Sequence, residues 1–401
     1  MARSIALLVA AALFASSCGQ DPGSAVTLDF FQFKPEAVKT FDRIIEEFER
    51  EHPGVRVVQR HVPNAETALR TRLVRQDVPD VLTLNGAGVF GELAAAGVFR
   101  DFSRDRVAQV VNPPVQKILN DLGTFGRGEV NGLPFASNAN VVIYNKDLFA
   151  RHRVEPPRSW AELIAAARTF RAAGVTPFYL TLKDAWTALP TFNALAANLA
   201  PADFFARRRA GRATFLSAYP QVTEKLKELY SHGQPDRLSR GYDEGNRAFA
   251  EGRAAMYLQG SWAIPAIKGL EPAFELGTFA LPAVQDQRLV SGVDVAVTMA
   301  REPRHPKEAM AFVEYLMRPE VMKAYAEEQV AIPPLRQAGS PVLREVLPYF
   351  ERGRLAGFPD HHIPLAVQLE RLLQRFLIDG DSRAFLTELD SEWDKVMERR
   401  S

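Results

Sequence analysis

Apolar and polar positions change period several times along this chain, and the changes divide it into strand-like and helix-like segments. Val26 to Phe31 is a short apolar run of strand length. Val38, Phe41, Ile44, Ile45 and Phe48 then recur at helical spacing until Pro53-Gly54 stops the helix. Val55 to Val58 predicts a second strand, Ala65 to Arg75 a second helix, and Val81 to Leu84 a third strand. This β-α-β-α-β order predicts an α/β fold with a parallel sheet covered on both faces. Such sheets take ligands beyond the carboxyl ends of their strands, which points to the loops 32–35 and 85–88.

A second α/β region begins near Val141, with a strand over Val141 to Tyr144. Ser159 with Glu162 three residues on forms a capping box, ahead of a helix whose apolar face is Trp160, Leu163, Ile164, Ala167 and Phe170. Phe178 to Leu182 and Ala254 to Leu258 predict further strands, the latter followed at once by Gly260-Ser261-Trp262. Val293 to Met299 reads as a strand, and Ala309, Phe312, Val313 and Leu316 as a buried helix face. Leu372, Leu373, Phe376, Phe385, Leu389 and Trp393 keep helical spacing, so the C-terminal segment packs.

The start of the chain follows another logic. Arg3 supplies a positive n-region, and Ile5 to Phe14 is an apolar stretch too short for a bilayer, which needs about 20 residues. It suits the h-region of a signal peptide. Ala15-Ser16-Ser17 precede Cys18, the one cysteine in the chain, and a polar, turn-rich tether follows. A lone thiol in an oxidising compartment has no disulfide partner. The pattern resembles a bacterial lipoprotein lipobox, with Ala15 where Leu is usual. The resemblance implies a signal peptide over 1–17, lipidation of Cys18, a lipidated tether over 18–23, and an extracytoplasmic protein anchored to the cell membrane. Several acyl chains on one residue anchor stably, because two hydrophobic signals suffice.

Composition narrows the partners. Lys+Arg total 49 against 48 Asp+Glu, a formal net charge of +1, so no long-range field points to nucleic acid or to an anionic surface. The run Arg207, Arg208, Arg209 with Arg212 reads as a solvated helix face or loop. At 401 residues the chain accommodates two or three domains.

Chemical motifs are sparse. Gly86-Ala87-Gly88-Val89-Phe90-Gly91 matches G-x-G-x-x-G, yet no strand ending in an acidic residue follows at the distance a dinucleotide site needs. His361-His362 beside Asp360 lacks a third ligand at metal-binding spacing and reads as a loop lining a polar cleft. There is no G-x-S-x-G elbow, H-E-x-x-H helix or P-loop. The expectation is therefore no catalysis, no cofactor and no metal. Trp186 and Trp262 each follow a predicted strand. Either they are core, since Trp is highly buried on average, or their indole faces stack on a sugar ring while Asn and Asp meet its hydroxyls.

Four stretches carry a family resemblance: Pro79-Asp80-Val81-Leu82 leading to Ala96-Gly97-Val98-Phe99; Gly132-Leu133-Pro134-Phe135 with Val142 to Phe149; Phe249-Ala250-Glu251-Gly252-Arg253-Ala254-Ala255-Met256-Tyr257 with Gly260-Ser261-Trp262; and Ala309 to Leu316 with Pro319-Glu320 and Ile332-Pro333. Together they resemble the bacterial extracellular solute-binding proteins of the maltose/oligosaccharide type, the substrate-binding lipoproteins of ABC importers. The resemblance implies a two-lobed, periplasmic-binding-protein-like fold with hinge crossings and a ligand cleft between lobes. Lobe one would hold 24–137 and 291–318, and lobe two 138–290 and 319–401. By position, Gln32, Asn85, Gly86, Asn138, Asp184, Trp186, Ser261 and Trp262 would line the cleft, with Asp294 and Arg336 as polar residues near later crossings. Asn138 stands where many maltose-type members carry an acid, which argues against maltodextrin itself.

The function this implies is capture of a mono- or oligosaccharide by a monomer that closes about its hinge and delivers to ABC permease subunits. Alternatives are another small polar solute (a glycerophosphodiester, polyol or polyamine), an extracytoplasmic hydrolase using Asp184 with a second carboxylate, and a sensor or scaffold lipoprotein. Cleft aromatics favour capture over a scaffold.

Overall fold

The computed structural model describes residues 25–62, 65–123, 128–335 and 341–399. The expected signal peptide, Cys18 and Arg336 lie outside the described residues.

The first half of the fold follows the predicted alternation. Strand β1 (Val26–Gln32) pairs in parallel with β2 (Val55–His61), Val26 opposite Val55 and Gln32 opposite His61, and on its other side with β3 (Val81–Gly86). Helix α1 (Val38–Glu51) turns Phe41, Ile44, Ile45 and Phe48 inward, as their spacing requires. Helices α2 (Ala65–Val74), α3 (Gly88–Ala95) and α4 (Pro113–Gly123) follow. The sheet is mixed and not purely parallel, because β8 (Leu289–Met299) runs antiparallel to β3.

The thirteen-residue strand β4 (Leu133–Asn145) joins two regions of sheet. From Leu133 to Ala139 it pairs with β8; from Asn140 onward it pairs with β6 (Ala254–Gly260) and β7 (Leu276–Phe279). β5 (Thr176–Tyr179) is parallel to β6, and the short β9 (Leu355–Ala356) pairs with the start of β8. Along the sheet the order is β2-β1-β3-β8-β4-β6-β5. β4 and β8 thus lie at the centre as neighbouring strands, and the chain passes between the two regions along them. Among the described residues no helix is long and apolar enough to cross a membrane.

Three expectations need correcting. The strand predicted over Phe178 to Leu182 ends at Tyr179, because the Gln234 amide takes both backbone groups of Leu180, accepting from its N–H at 2.9 Å and donating to its carbonyl at 2.6 Å. The capping box is one-sided: Ser159 accepts from the Glu162 N–H at 3.2 Å, whereas the Glu162 carboxylate takes the N–H of Arg158 at 2.7 Å. The basic run is not all solvated. Arg208 is buried, ion-paired with Asp390 and Asp394 and lying over the Trp393 ring. The helix Pro319–Gln329 packs on α1 of the first region. Tyr325 sits 5.3 Å from Phe41, and Glu328 holds Thr40 and Arg43.

Candidate functional site

Where β4 and β8 cross from one region to the other, small residues leave room for large rings. Asn138 on β4 pairs with Gly292 on β8, and a Cβ added to Gly292 would overlap the ring of Phe358. One strand over, Asn140 pairs with Gly260, and a Cβ there would overlap the indole of Trp262. Glycine at both places lets an aromatic ring lie flat on the strand backbone. The Trp262 and Phe358 centroids are 6.5 Å apart at 53°, and Phe358 and His361 are 4.9 Å apart at 41°. Phe358 is buried, while Trp262 and His361 are partly exposed.

Polar groups converge beside these rings. The Asn138 carbonyl accepts from the Ser291 hydroxyl at 2.7 Å, yet its side-chain Oδ1 is buried with no partner among the described residues. Leaving such an acceptor unsatisfied costs about 1–3 kcal/mol. Asp360 Oδ1 accepts no hydrogen bond and lies 4.0 Å from His361 Nε2, and the Asp360 N–H donates to Asn193 Oδ1 at 3.0 Å. Asp294 on β8 pairs with the Lys34 ammonium from the loop after β1, and both side chains are only slightly exposed. Across from Phe358, the His361 carbonyl lies 3.8 Å from where a Cβ on Gly88, the first residue of α3, would stand. The turn Pro359–His362 therefore meets the carboxyl-end loop of β3, one of the two loops singled out by sequence.

The remaining expected site residues have varied surroundings. Asn85 is exposed at the end of β3. Gly86 is buried, with room for no side chain, since a Cβ would stand 2.8 Å from that of Val293. Gln32 is fully buried, and its amide is occupied, donating to the Lys34 carbonyl at 2.7 Å and to Gln59 at 3.3 Å. It shapes the loop, and Lys34 is the residue that loop presents to Asp294. Ser261 is also buried and spent on backbone: its hydroxyl accepts from Ala139 N–H at 3.2 Å, and its own N–H donates to the Ala139 carbonyl at 2.9 Å. Asp184 accepts from Tyr242 N–H at 2.7 Å at the start of the helix Tyr242–Ala250. Trp186 packs on Tyr242, centroids 4.9 Å apart, so Asp184 and Trp186 form a group of their own.

Sequence reasoning passed over Lys34, Phe358 and Asn193. Lys34 lay inside a loop already singled out. Phe358 carried no signal, because its meaning comes from a glycine on a distant strand. Burial, then the nearby Arg209, His361 and Lys117, lower His362 to about 4, so it is neutral at pH 7. No group of three or more potential metal ligands occurs among the described residues.

Residues 34–323 match the family described as bacterial extracellular solute-binding protein. The multiple sugar-binding protein of Streptococcus mutans is 30% identical over 328 residues, covering 77% of this chain and 75% of its own. The melibiose/raffinose/stachyose-binding protein MelE of Bacillus subtilis is 23% identical, covering 72% and 69%. The apo form of RafE from Streptococcus pneumoniae superposes with a TM-score of 0.81 at 28% identity, over 94% of this chain and 100% of that one. RafE in complex with raffinose gives 0.77 at 30% identity, over 93% and 100%.

Proposed function

Because this chain belongs to the family of bacterial extracellular solute-binding proteins, we propose that it captures an oligosaccharide for an ABC importer and performs no chemistry on it. The observation that carries this reading is the partly exposed Trp262, lying over Gly260 with its ring centroid 6.5 Å from that of Phe358, the ring that covers Gly292 next to the unpartnered Oδ1 of Asn138. An apolar ring face next to a buried acceptor suits a sugar, which offers C–H groups on one side and hydroxyl donors at its rim. The sugar specificity in the names of MelE and RafE supports the choice of class.

Recognition proceeds by closure. Lobe one comprises 24–137 and 291–318 together with the helix Pro319–Gln329, and lobe two the rest. Lys34, Asn85 and Asp294 face the ligand from lobe one, and Trp262 and His361 from lobe two. Ligand shifts the open–closed balance only through contacts that are better when the lobes close. The permease reads the closed form. Cys18 carries the lipid that holds the protein at the extracytoplasmic face of the membrane, after removal of 1–17. Cys18→Ser releases the protein or leaves it unprocessed; an unmodified cysteine found by mass spectrometry on the mature wild-type chain refutes the anchor.

A thermal-shift screen of the soluble mature chain tests the main claim, because a ligand that binds only the folded state raises Tm by mass action. Raffinose, stachyose and melibiose are set against glycerol 3-phosphate, a polyol and a polyamine. A rise with a sugar and none with the others is expected. A rise with only a charged solute overturns the assignment.

A further inference from the structure

Phe358 sits between β9 and the turn Pro359–His362, and its ring is only 6% exposed. Val290 of β8 and Ala197 of the helix Leu189–Leu199 pack around it, and Gly292 leaves the space it fills. The turn that follows is held by bonds from the His361 N–H to the Phe358 carbonyl at 3.2 Å, from the Ile363 N–H to the Asp360 carbonyl at 3.0 Å, and from the Asp360 N–H to Asn193. A ring so enclosed offers no face to a ligand. It does touch both partly exposed rings of the site, Trp262 on one side and His361 on the other.

Trp262 is thereby fixed from two directions. Gly260 lies under its indole, and Phe358 flanks it. A stacking platform works when its rotamer is locked before the ligand arrives, since ordering a side chain on binding costs affinity. We infer that Phe358 is a positioning residue of the ligand site: seated on Gly292, it sets the orientation of Trp262 and ties it to the His361 turn. This deepens the sugar-binding reading and rests on it.

Two substitutions displace the ring by independent routes. Phe358→Ala removes it, and Gly292→Ala places a methyl where the ring lies without altering Phe358 or Trp262. The mature chain is labelled with 5-fluorotryptophan, and the Trp262 fluorine resonance is assigned by its loss in Trp262→Phe. Spectra are recorded below the melting transition of the least stable variant. In both variants the Trp262 resonance moves while those of Trp160, Trp186 and Trp393 stay in place, and Kd for raffinose rises tenfold or more. A merely structural role lowers Tm and leaves the Trp262 resonance where it was, which overturns the inference. So does a Kd within twofold of wild type. If the wild-type chain binds no sugar of the panel, the functional reading fails, and the resonance alone decides the positioning role. Where either variant does not fold, Phe358→Leu replaces it, with the same two outcomes.

Discussion

Ser137 and Ile332 exchange both backbone hydrogen bonds, 2.7 Å from the Ser137 N–H and 2.9 Å back from the Ile332 N–H. This antiparallel bridge clamps the segment after the helix Pro319–Gln329 against β4, at the residue preceding Asn138. Three stretches of chain, β4, β8 and 330–335, therefore run side by side next to the site. A hinge made of several bonded strands bends as a unit, so its register fixes how the two walls meet.

Ile332→Pro tests the clamp. Proline cannot donate to Ser137, and the substitution also disturbs a side chain that is 1% exposed. Losing the bridge and its packing should cost about 3 kcal/mol or more of stability. Urea unfolding measures the loss; an unchanged midpoint would mean that the bridge contributes nothing.

Arg208 supplies a sharper test of buried charge. Its guanidinium lies 3.3 Å from Asp390 and 2.7 Å from Asp394, and Asp390 also accepts the N–H groups of Phe215 and Leu216 at 2.7 and 2.9 Å. Arg208→Ala leaves Asp390 facing the apolar ring cluster without its cation, at a cost of about 3–5 kcal/mol. Arg208→Lys should not restore stability, because the lysine lacks the planar fork that reaches both carboxylates and stacks on Trp393. Arg207→Ala, on the exposed side of the same helix, should stay within about 0.5 kcal/mol of wild type. Equal losses at 207 and 208 would refute the distinction.

These cases mark what the chain itself discloses. The helix faces of Val38–Glu51 and Pro306–Leu316 were legible because their apolar spacing is the burial pattern, read directly. The place of Trp262 just past a strand was legible because the apolar run from Ala254 leads into Gly260. Gln32 and Ser261 stand at strand ends, as the sequence predicts, but their side chains bond backbone nearby. A polar residue at a cleft edge and one that braces the loop carry the same letter in a sequence. Phe358 and Arg208 were not legible at all, since each takes its role from residues far along the chain. Nor was the left-handed conformation of Val330, φ 49°, at the end of the helix Pro319–Gln329, where a β-branched residue is unfavoured.

Acid should loosen the region around His362. Its folded value near 4 lies below the ordinary 6.5, because burial disfavours the imidazolium. The unfolded chain therefore takes up this proton first, and stability falls as pH drops from about 6.5 towards 4. The contribution is at most about 3 kcal/mol over that window. His362→Gln should flatten this part of the stability–pH curve, followed by chemical denaturation at pH 7, 5.5 and 4.5. A slope that persists unchanged in the variant assigns the acid sensitivity to other groups.

The two tryptophans of the original site should now behave differently. Trp262 lies over Gly260, the partner of Asn140 on β4, whereas Trp186 packs on Tyr242 beside a carboxylate that already holds a backbone N–H. Trp262→Ala should weaken sugar binding by about 2 kcal/mol or more, as loss of a buried aromatic anchor does. That is roughly thirtyfold in Kd. Part of the Trp262 ring also packs on buried apolar residues, so some stability goes with it, but less than the roughly 3–5 kcal/mol of a fully buried aromatic. For Trp186→Ala the ratio reverses if its contact with Tyr242 is what matters: Tm falls and Kd for the same sugar changes less than for Trp262→Ala. Calorimetric titration and thermal unfolding on each variant give both numbers. Should Trp186→Ala abolish binding at unchanged Tm while Trp262→Ala leaves Kd intact, the ligand lies against the Asp184 group and not against the crossing strands.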